Sequence, residues 1–480
     1  MSAFINRGQE LALLDDLIQQ PGAQLIMLYG RRRIGKTTLL VHWAQQTGLP
    51  LFYWVAKRDP RDLLLANLAR TIYAWQHSGD SDVPLQPRDW EQVFKMLAQA
   101  IGDRRVIVIL DELPYALQQD SGLGSHLQAA WDHLFKDSQV IMILSGSHTG
   151  MLTDLIQYQS PLYGRLTAQF PLYALRFADI HPFLPHYDSF QRLAVYAMLG
   201  GVPAYLERWR DNRSLKFNVE QLFLQRTGWF RNEPSVLVSD LTQRETVSYE
   251  AILKAIAAGH HEREEIASFA AVKSTALSHY LPRLLALQFV ERRIPATVPL
   301  PDLKTSRKTR YYLRDPFLRF YYRFLDPNLH LLDGGLSHRL WQMIEDNFRA
   351  FVAFTFEELC LDWLVAQAQQ EKLPFAADNV GAHWSKTGQV DAVAINWREQ
   401  QLLLGECKWG DAPVSRSALA ELVEVKTPKV LADLPNGSAG WTVHYALFAR
   451  HAFTEATQLL AAQHQARLVT LTQIETEMQT

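Results

Sequence analysis

Up to about position 180, short apolar runs alternate with longer stretches whose apolar residues recur at helical spacing. That alternation predicts an α/β domain built on a parallel sheet. The strand-like runs are residues 25–29, 51–55, 106–110 and 140–144. Each is short, apolar and partly β-branched, as strands buried on both faces are. Residues 186–245 read as helices without strands between them. From 248 to 291 the apolar positions form three helical groups: Ile252/Ile256, Ile266/Phe269 and Leu277/Leu281/Leu284/Leu285. The runs 289–293 and 307–313, joined by a long Pro-containing connection, predict a hairpin. Asp326-Pro327-Asn328 through Gly334-Gly335 reads as a linker. Beyond it, a helix over about 341–370 precedes two β-like runs, about 389–396 and 401–409. No internal repeat is visible.

Composition adds bounds. A chain of 480 residues suggests about three domains. With 48% apolar and 20% charged residues, it is neither disordered nor low in complexity. The net charge of −2 argues at first against a dedicated nucleic-acid binder. Divided by region, the balance changes. Residues 248–326 hold 13 Lys/Arg against 8 Asp/Glu, with the surplus at Arg292, Arg293, Lys304, Arg307, Lys308 and Arg310. Residues 340–480 hold 17 Asp/Glu against 10 Lys/Arg. The near-zero total therefore excludes nothing about DNA. Two cysteines, Cys360 and Cys407, cannot build a disulfide framework or a four-Cys zinc site. MSAFINRGQELALL lacks a basic stretch followed by an apolar one, so no signal peptide is expected. No long uncharged apolar run would span a membrane. A cytoplasmic location is the expectation. His260-His261-Glu262 does not continue to HExxH and reads as a polar loop or helix end.

Gly30-Arg31-Arg32-Arg33-Ile34-Gly35-Lys36-Thr37 matches GxxxxGK[ST] between a strand and a helical stretch. Glycines let backbone N–H groups wrap phosphates, and the helix N-terminus adds a positive dipole end. Gly30, Arg33, Gly35, Lys36, Thr37 and Thr38 are the expected nucleotide-binding residues. Lys36 reaches the β- and γ-phosphates, and the Thr37 hydroxyl ligates Mg²⁺. Asp111-Glu112 follows the strand 106–110 and so emerges at its C-terminal edge, where ligands collect in such sheets. Asp111 holds the Mg²⁺, directly or through water, and Glu112 orients the attacking water. Ser145, at the tip of the next strand, is a candidate γ-phosphate sensor. As a strand-end turn it reads equally well as structural. Arg165 is a candidate cation for transition-state charge.

These residues resemble the archaeal-type ATPases, P-loop proteins of the AAA+/STAND grouping. The matching pieces are FINRGQEL at 4–11, the P-loop, Asp111-Glu112-Leu113-Pro114-Tyr115, LSGSHTG at 144–150, SPLYGR at 160–165 and GGVPAYL at 200–206. The resemblance implies the catalytic role of Arg165. It also implies that Gly201-Val202-Pro203 lies in a helical lid near the nucleotide base, which adds Pro203 to the nucleotide site. AAA+ relatives often assemble so that an Arg reaches a neighbour's site, so a homo-oligomer is among the expected partners.

The segment 248–313 resembles a winged helix-turn-helix, with 262–269 and 274–287 as the paired helices. Its functional reading is DNA contact, the wing positioning the duplex and Lys273, Ser274 and Thr275 lying near the groove. Its structural reading is an internal spacer that touches no DNA.

The C-terminal region carries Asp391 in one β-like run and Glu406-Cys407-Lys408 in the next. Glu406 and Lys408 share a strand face. A turn centred between Arg398 and Glu399 sets Asp391 directly opposite Glu406. Two carboxylates and one ammonium then converge, a site for a divalent metal with Lys408 beside the developing charge. A solvated face with a cross-strand salt bridge has the same spacing. The apolar flanks, Val390, Val393, Ile395 and Leu402 to Leu404, argue for central strands, where three charges need a use.

This pattern resembles the PD-(D/E)xK nuclease core, with Val390 where Pro stands in the strict motif. The chain also resembles the C-terminal domain that accompanies archaeal-type ATPases, through FLRFYYRF at 317–324, Phe356-Glu357, Gly381, Trp384 and GECKW at 405–409. The nuclease resemblance implies a further acid from the preceding helix, Glu357 first and Glu358 second. The expected ligands of this second metal are therefore Glu357, Asp391 and Glu406, with Mg²⁺ or Mn²⁺ as the ion. The expected catalytic set is Asp391, Glu406 and Lys408.

The expected fold is a P-loop ATPase core (1–185), a helical lid (186–245), a winged helix (246–326) and an α/β restriction-endonuclease-like domain (336–480). The expected function is ATP hydrolysis coupled to a winged helix and a metal-dependent DNA nuclease. The alternative is an ATP-switched DNA-binding regulator whose C-terminal domain is catalytically inactive.

Overall fold

Strands made almost wholly of Ile, Leu, Val and Met can be buried on both faces only inside a layered sheet. The computed structural model, which describes residues 6–77, 85–242, 246–435, 437 and 439–479, builds that sheet. Phe4 and Ile5 of the expected FINRGQEL motif lie outside the described residues. The strands are β1 (Gln24–Tyr29), β2 (Leu51–Val55), β3 (Ile107–Asp111), β4 (Ile141–Gly146) and β5 (Ala168–Pro171). Their order is β2-β3-β4-β1-β5, all parallel. β1 to β4 match the sequence expectation, with ends shifted by at most two residues. β5 was not foreseen: four half-exposed residues at a sheet edge carry little apolar signal. Helix Lys36–Thr47 packs Leu39, Leu40 and Trp43 on one face of the sheet. Leu64, Leu68, Trp90, Phe94 and Leu97 pack on the other. Register aligns Tyr29 with Gly146 and Val55 with Asp111, so these strand ends share one edge.

The chain forms two compact units. The first is Met1–Ala174 with Val202–Tyr205, and holds the parallel sheet. The second is Leu175–Gly201 with Leu206–Thr480. Most of the expected lid therefore belongs to the second unit. A specific pair ties helix Ser189–Leu199 into that unit. Arg192, in helix Ser189–Leu199, forks onto Glu475 of helix Leu471–Gln479 at 2.6 and 2.7 Å, both side chains buried.

In the second unit, helices Thr246–Ala257, Arg263–Phe269 and Leu277–Ala286 are followed by β6 (Val290–Arg293) and β7 (Arg310–Leu313), an antiparallel pair. The stretch 326–335 is not a linker. A 3₁₀ turn, Asp326–Asn328, runs into helix Leu329–Asp333. Leu332 is buried there, and Lys254 pairs with Asp326 at 3.1 Å. Pro, Asn and Gly in the composition concealed this apolar anchor.

A 33-residue helix, Ser337–Gln369, then leads into β8 (Asn379–Trp384), β9 (Gln389–Asn396) and β10 (Gln401–Lys408), an antiparallel meander. Helices Arg416–Glu421 and Thr427–Ala432, joined by a π-helical turn, Leu422–Lys426, cross over to β11 (Thr442–Ala449). β11 lies parallel to β10, and β12 (Arg467–Thr470) parallel to β11. The order is β12-β11-β10-β9-β8, which leaves β8 at an edge. The connection between β6 and β7 lies along that edge. Ala296 N donates to the Ala382 carbonyl at 2.9 Å, and the Thr297 hydroxyl meets His383 Nδ1 at 2.7 Å. Arg310 stacks over the Trp384 ring. No helix among the described residues is long and apolar enough to cross a membrane.

Candidate functional site

The first site forms at the C-terminal edge of the parallel sheet. Gly30 leaves β1 at φ 156°, and a Cβ there would lie 2.3 Å from the Leu172 carbonyl oxygen. Gly35 has φ 91° and caps helix Lys36–Thr47. Arg33, between them, also has positive φ. The loop therefore turns its backbone toward the helix N-terminus, as phosphate binding requires. Lys36 is buried, and its Nζ donates to the Gly30 and Arg31 carbonyls at 2.9 and 3.0 Å. Burial lowers its pKa, opposed by Glu112 and Asp111. Thr38 follows Thr37 in the first helical turn.

The Thr37 hydroxyl donates to Asp111 Oδ2 at 2.5 Å. The two expected Mg²⁺ ligands thus already meet, across 74 residues of sequence. Tyr53, on β2, donates to the same oxygen at 3.1 Å. The sequence reading missed Tyr53, since one aromatic in an apolar strand has no distinguishing signal. Glu112 sits at φ 49°, a left-handed conformation that a non-glycine residue holds only under constraint. Its Oε2 accepts from the Ser147 N–H at 3.1 Å and the Ser147 hydroxyl at 2.8 Å. β4 lies between β1 and β3, so its tip falls between the P-loop and Asp111. Ser145 Oγ is buried there without a hydrogen-bond partner among the described residues, while Ser147 makes the contact to Glu112. Pro203 begins a short helix, and the Tyr205 hydroxyl accepts from Arg31 of the P-loop at 3.0 Å. The Arg165 guanidinium is held by Asp132 in a two-bond fork of 2.9 and 2.8 Å, with further bonds to the Pro161 and Tyr163 carbonyls.

The second site forms where β9 and β10 end. Gln401 pairs with Asn396 and Gly405 with Ala392, the register expected from the turn centre. One step further, Asp391 Oδ2 accepts from the Cys407 N–H at 3.0 Å. Glu406 is 1% exposed. Its Oε2 accepts from Lys408 Nζ at 3.0 Å and also from Lys426 Nζ, while Oε1 is buried with no partner among the described residues. Lys426 was not foreseen: it comes from the crossover, twenty residues past Glu406, and no spacing rule links the two. Burial and the Glu406 charge push the Asp391 carboxyl up to about 6. Burial, then Asp391 and Glu358, push Glu357 up to about 8. Among the described residues, no three His, Cys, Asp or Glu side chains converge as a metal-holding group. The expected third ligand, Glu357, is close enough to Asp391 and Glu406 to feel both charges. Glu358 is committed elsewhere, to Arg319 at 2.9 Å and to Arg293. Arg293 is thus drawn inward and does not belong to an exposed basic surface.

Residues 4–209 match a family model described as an ATPase domain predominantly from Archaea. Residues 321–422 match one described as "Archaea bacterial proteins of unknown function". An uncharacterised protein of Methanocaldococcus jannaschii is 28% identical over 411 residues, spanning 85% of this chain and 88% of its own length. An uncharacterised ATP-binding protein of the same organism is 51% identical over 37 residues, 8% of this chain and 63% of its own. Among solved structures, the Walker-type ATPase PABY2304 of Pyrococcus abyssi is similar with a TM-score of 0.49 at 21% identity, covering 67% of this chain and 96% of its own. The ORC2 protein of Aeropyrum pernix gives 0.44 at 16%, covering 71% and 97%. The chain therefore carries a segment similar to the predominantly archaeal ATPase domain, followed by a segment similar to the second family.

Proposed function

We propose that the protein hydrolyses ATP through Lys36, Thr37, Asp111 and Glu112, and that nucleotide state governs a metal-dependent DNA nuclease formed by Asp391, Glu406 and Lys408. Mg²⁺ bound between Thr37 and Asp111 would neutralise phosphate charge. Lys36 would turn from its loop carbonyls to the β- and γ-phosphates. Glu112, oriented by Ser147, would accept a proton from the attacking water.

The observation that carries the nuclease reading is Glu406 Oε1. A carboxylate oxygen buried without a partner is costly unless a cation completes it. Asp391 shares that face, so the residues fit a divalent metal held by two carboxylates and water. Such an ion supplies Lewis acidity and a lowered water pKa. Further support is the element order: a helix, an antiparallel three-strand meander, a helical crossover and a parallel fourth strand. That is the arrangement expected of a restriction-endonuclease-like core. The three helices and hairpin of 246–313 fit a winged helix. Its exposed Lys273, Ser274 and Thr275 are DNA-facing candidates, as are the exposed Lys304, Arg307 and Lys308 of the wing connection, of which Ala296 and Thr297 meet β8. The Arg165 role in transition-state stabilisation would require release from Asp132 by a neighbouring copy.

Plasmid incubated with Mg²⁺ or Mn²⁺ tests the nuclease. Wild type should nick or linearise it, and Asp391→Ala and Lys408→Ala should not. Equal cleavage by all three would reject the reading.

A further inference from the structure

Glu406 is contacted by two lysines, and both use the same oxygen. Lys408 lies two residues on along β10, with its side chain 38% exposed. Lys426 lies at the end of the π-helical turn, with its side chain 21% exposed. That turn is fixed locally, since the buried Thr427 hydroxyl donates to the Leu422 carbonyl at 2.7 Å. The wider turn rotates the helix that follows Ser415 and so aims Lys426 at the sheet. Inserted π turns are often retained for such a side-chain placement.

We propose that Lys426 is a positioning residue that anchors Glu406 Oε2, so that a bound divalent cation on Oε1 releases Lys408 toward the substrate phosphate. The inference rests on the metal site proposed above. Two ammonium groups on one oxygen repel each other, and they are tolerated here because Glu406 and Asp391 supply two negative charges. A divalent cation between these carboxylates cancels that charge. Both ammonium groups then lose their charge partner, but the buried Oε2 still needs one donor, so only one of them is expelled. The more exposed group is cheaper to move into water, because it has less burial to give up and a path outward. That group is Lys408. Lys426 stays, held by its turn, and keeps Oε1 aimed at the ion. The two lysines, equivalent by charge, thus divide into a fixed anchor and a mobile one.

Amine acylation of the full chain, read by mass spectrometry with and without Mn²⁺, tests this directly. The expected result is that Mn²⁺ raises labelling of Lys408 severalfold and leaves Lys426 protected. In Lys426→Met, Lys408 becomes the only ammonium on Glu406, and Mn²⁺ should no longer raise its labelling. Lys426→Arg should restore the wild-type response. Labelling of Lys426 in place of Lys408, or of both equally, overturns the inference, and the wild-type pattern needs no variant to fold. Mn²⁺ binding by Asp391→Ala separates the two levels. If Mn²⁺ binding to wild type and Asp391→Ala is identical, the metal site itself is rejected. If Asp391→Ala loses one Mn²⁺ while Lys408 stays protected in the Mn²⁺-bound wild type, the metal site stands and the role of Lys426 falls.

Discussion

The Thr37 hydroxyl donates to Asp111 at 2.5 Å, so the end of the P-loop and the end of β3 are joined directly. Thr37 and Asp111 are the residues that would hold a magnesium ion here, which would supply charge neutralisation for the phosphates. Asp111→Asn keeps a side chain of the same size there but removes the charge. ATP turnover, followed as phosphate release, should fall to background in Asp111→Asn and in Lys36→Ala. Persistent hydrolysis in either would mean the site is misassigned.

Glu112 is held by both polar groups of Ser147 and by its own strained backbone. Glu112→Gln should still bind ATP, yet hydrolyse it about 10²- to 10⁴-fold more slowly, the usual contribution of a general base. Ser147→Ala should show a smaller loss in the same direction. ATP affinity measured by fluorescence titration separates binding from turnover.

Arg192 and Glu475 form a buried fork that ties the helix at 189–199 to the C-terminal helix. Removing one partner strands the other charge, so Glu475→Ala should destabilise the second unit by about 3–5 kcal/mol. The double change Arg192→Met with Glu475→Leu should recover most of the loss. Thermal unfolding of the three proteins checks this, and equal midpoints for wild type and Glu475→Ala would contradict it.

His383 is 1% exposed, and burial lowers its pKa despite Asp433 at 3.3 Å. The native state therefore favours the neutral ring, and the unfolded chain binds the extra proton first. Stability linked to this group is complete above about pH 6.5 and is lost as pH falls below it. Unfolding midpoints from pH 8 down to 5 should fall more steeply for wild type than for His383→Gln. Parallel slopes would remove His383 as the cause.

If DNA is bound, the exposed Lys273 should contribute more to its affinity than Arg310. Lys273→Glu should weaken duplex binding and lower the salt slope by about one phosphate contact. Arg310→Glu should change DNA affinity less, since Arg310 stacks on Trp384. The reverse ranking would return the contact to the wing.

Local pattern carried much of the fold. Buried strands are nearly all apolar, so β1 to β4 were readable within two residues. The register of β9 on β10 followed from the turn at Arg398 and Glu399, because one centre fixes every pair. What escaped the sequence is contact between distant segments. Lys426 reaches Glu406 across a helical crossover, and Tyr53 reaches Asp111 from a neighbouring strand. Arg293 read as surface charge because Glu358, its partner, lies 65 residues away. Helix Leu329–Asp333 was hidden by the breakers on either side of it.

The strap at Ala296 and Thr297 has a practical consequence for anyone dissecting the chain. It lies outside the matched segment 321–422, yet it covers the open edge of β8. A fragment cut at 321 would bare unpaired backbone groups beside the apolar Val380 and Trp384, an invitation to edge-to-edge association. Insolubility of such a fragment would report the missing strap and not an unstable domain. A fragment that begins upstream of β6 keeps its own cover.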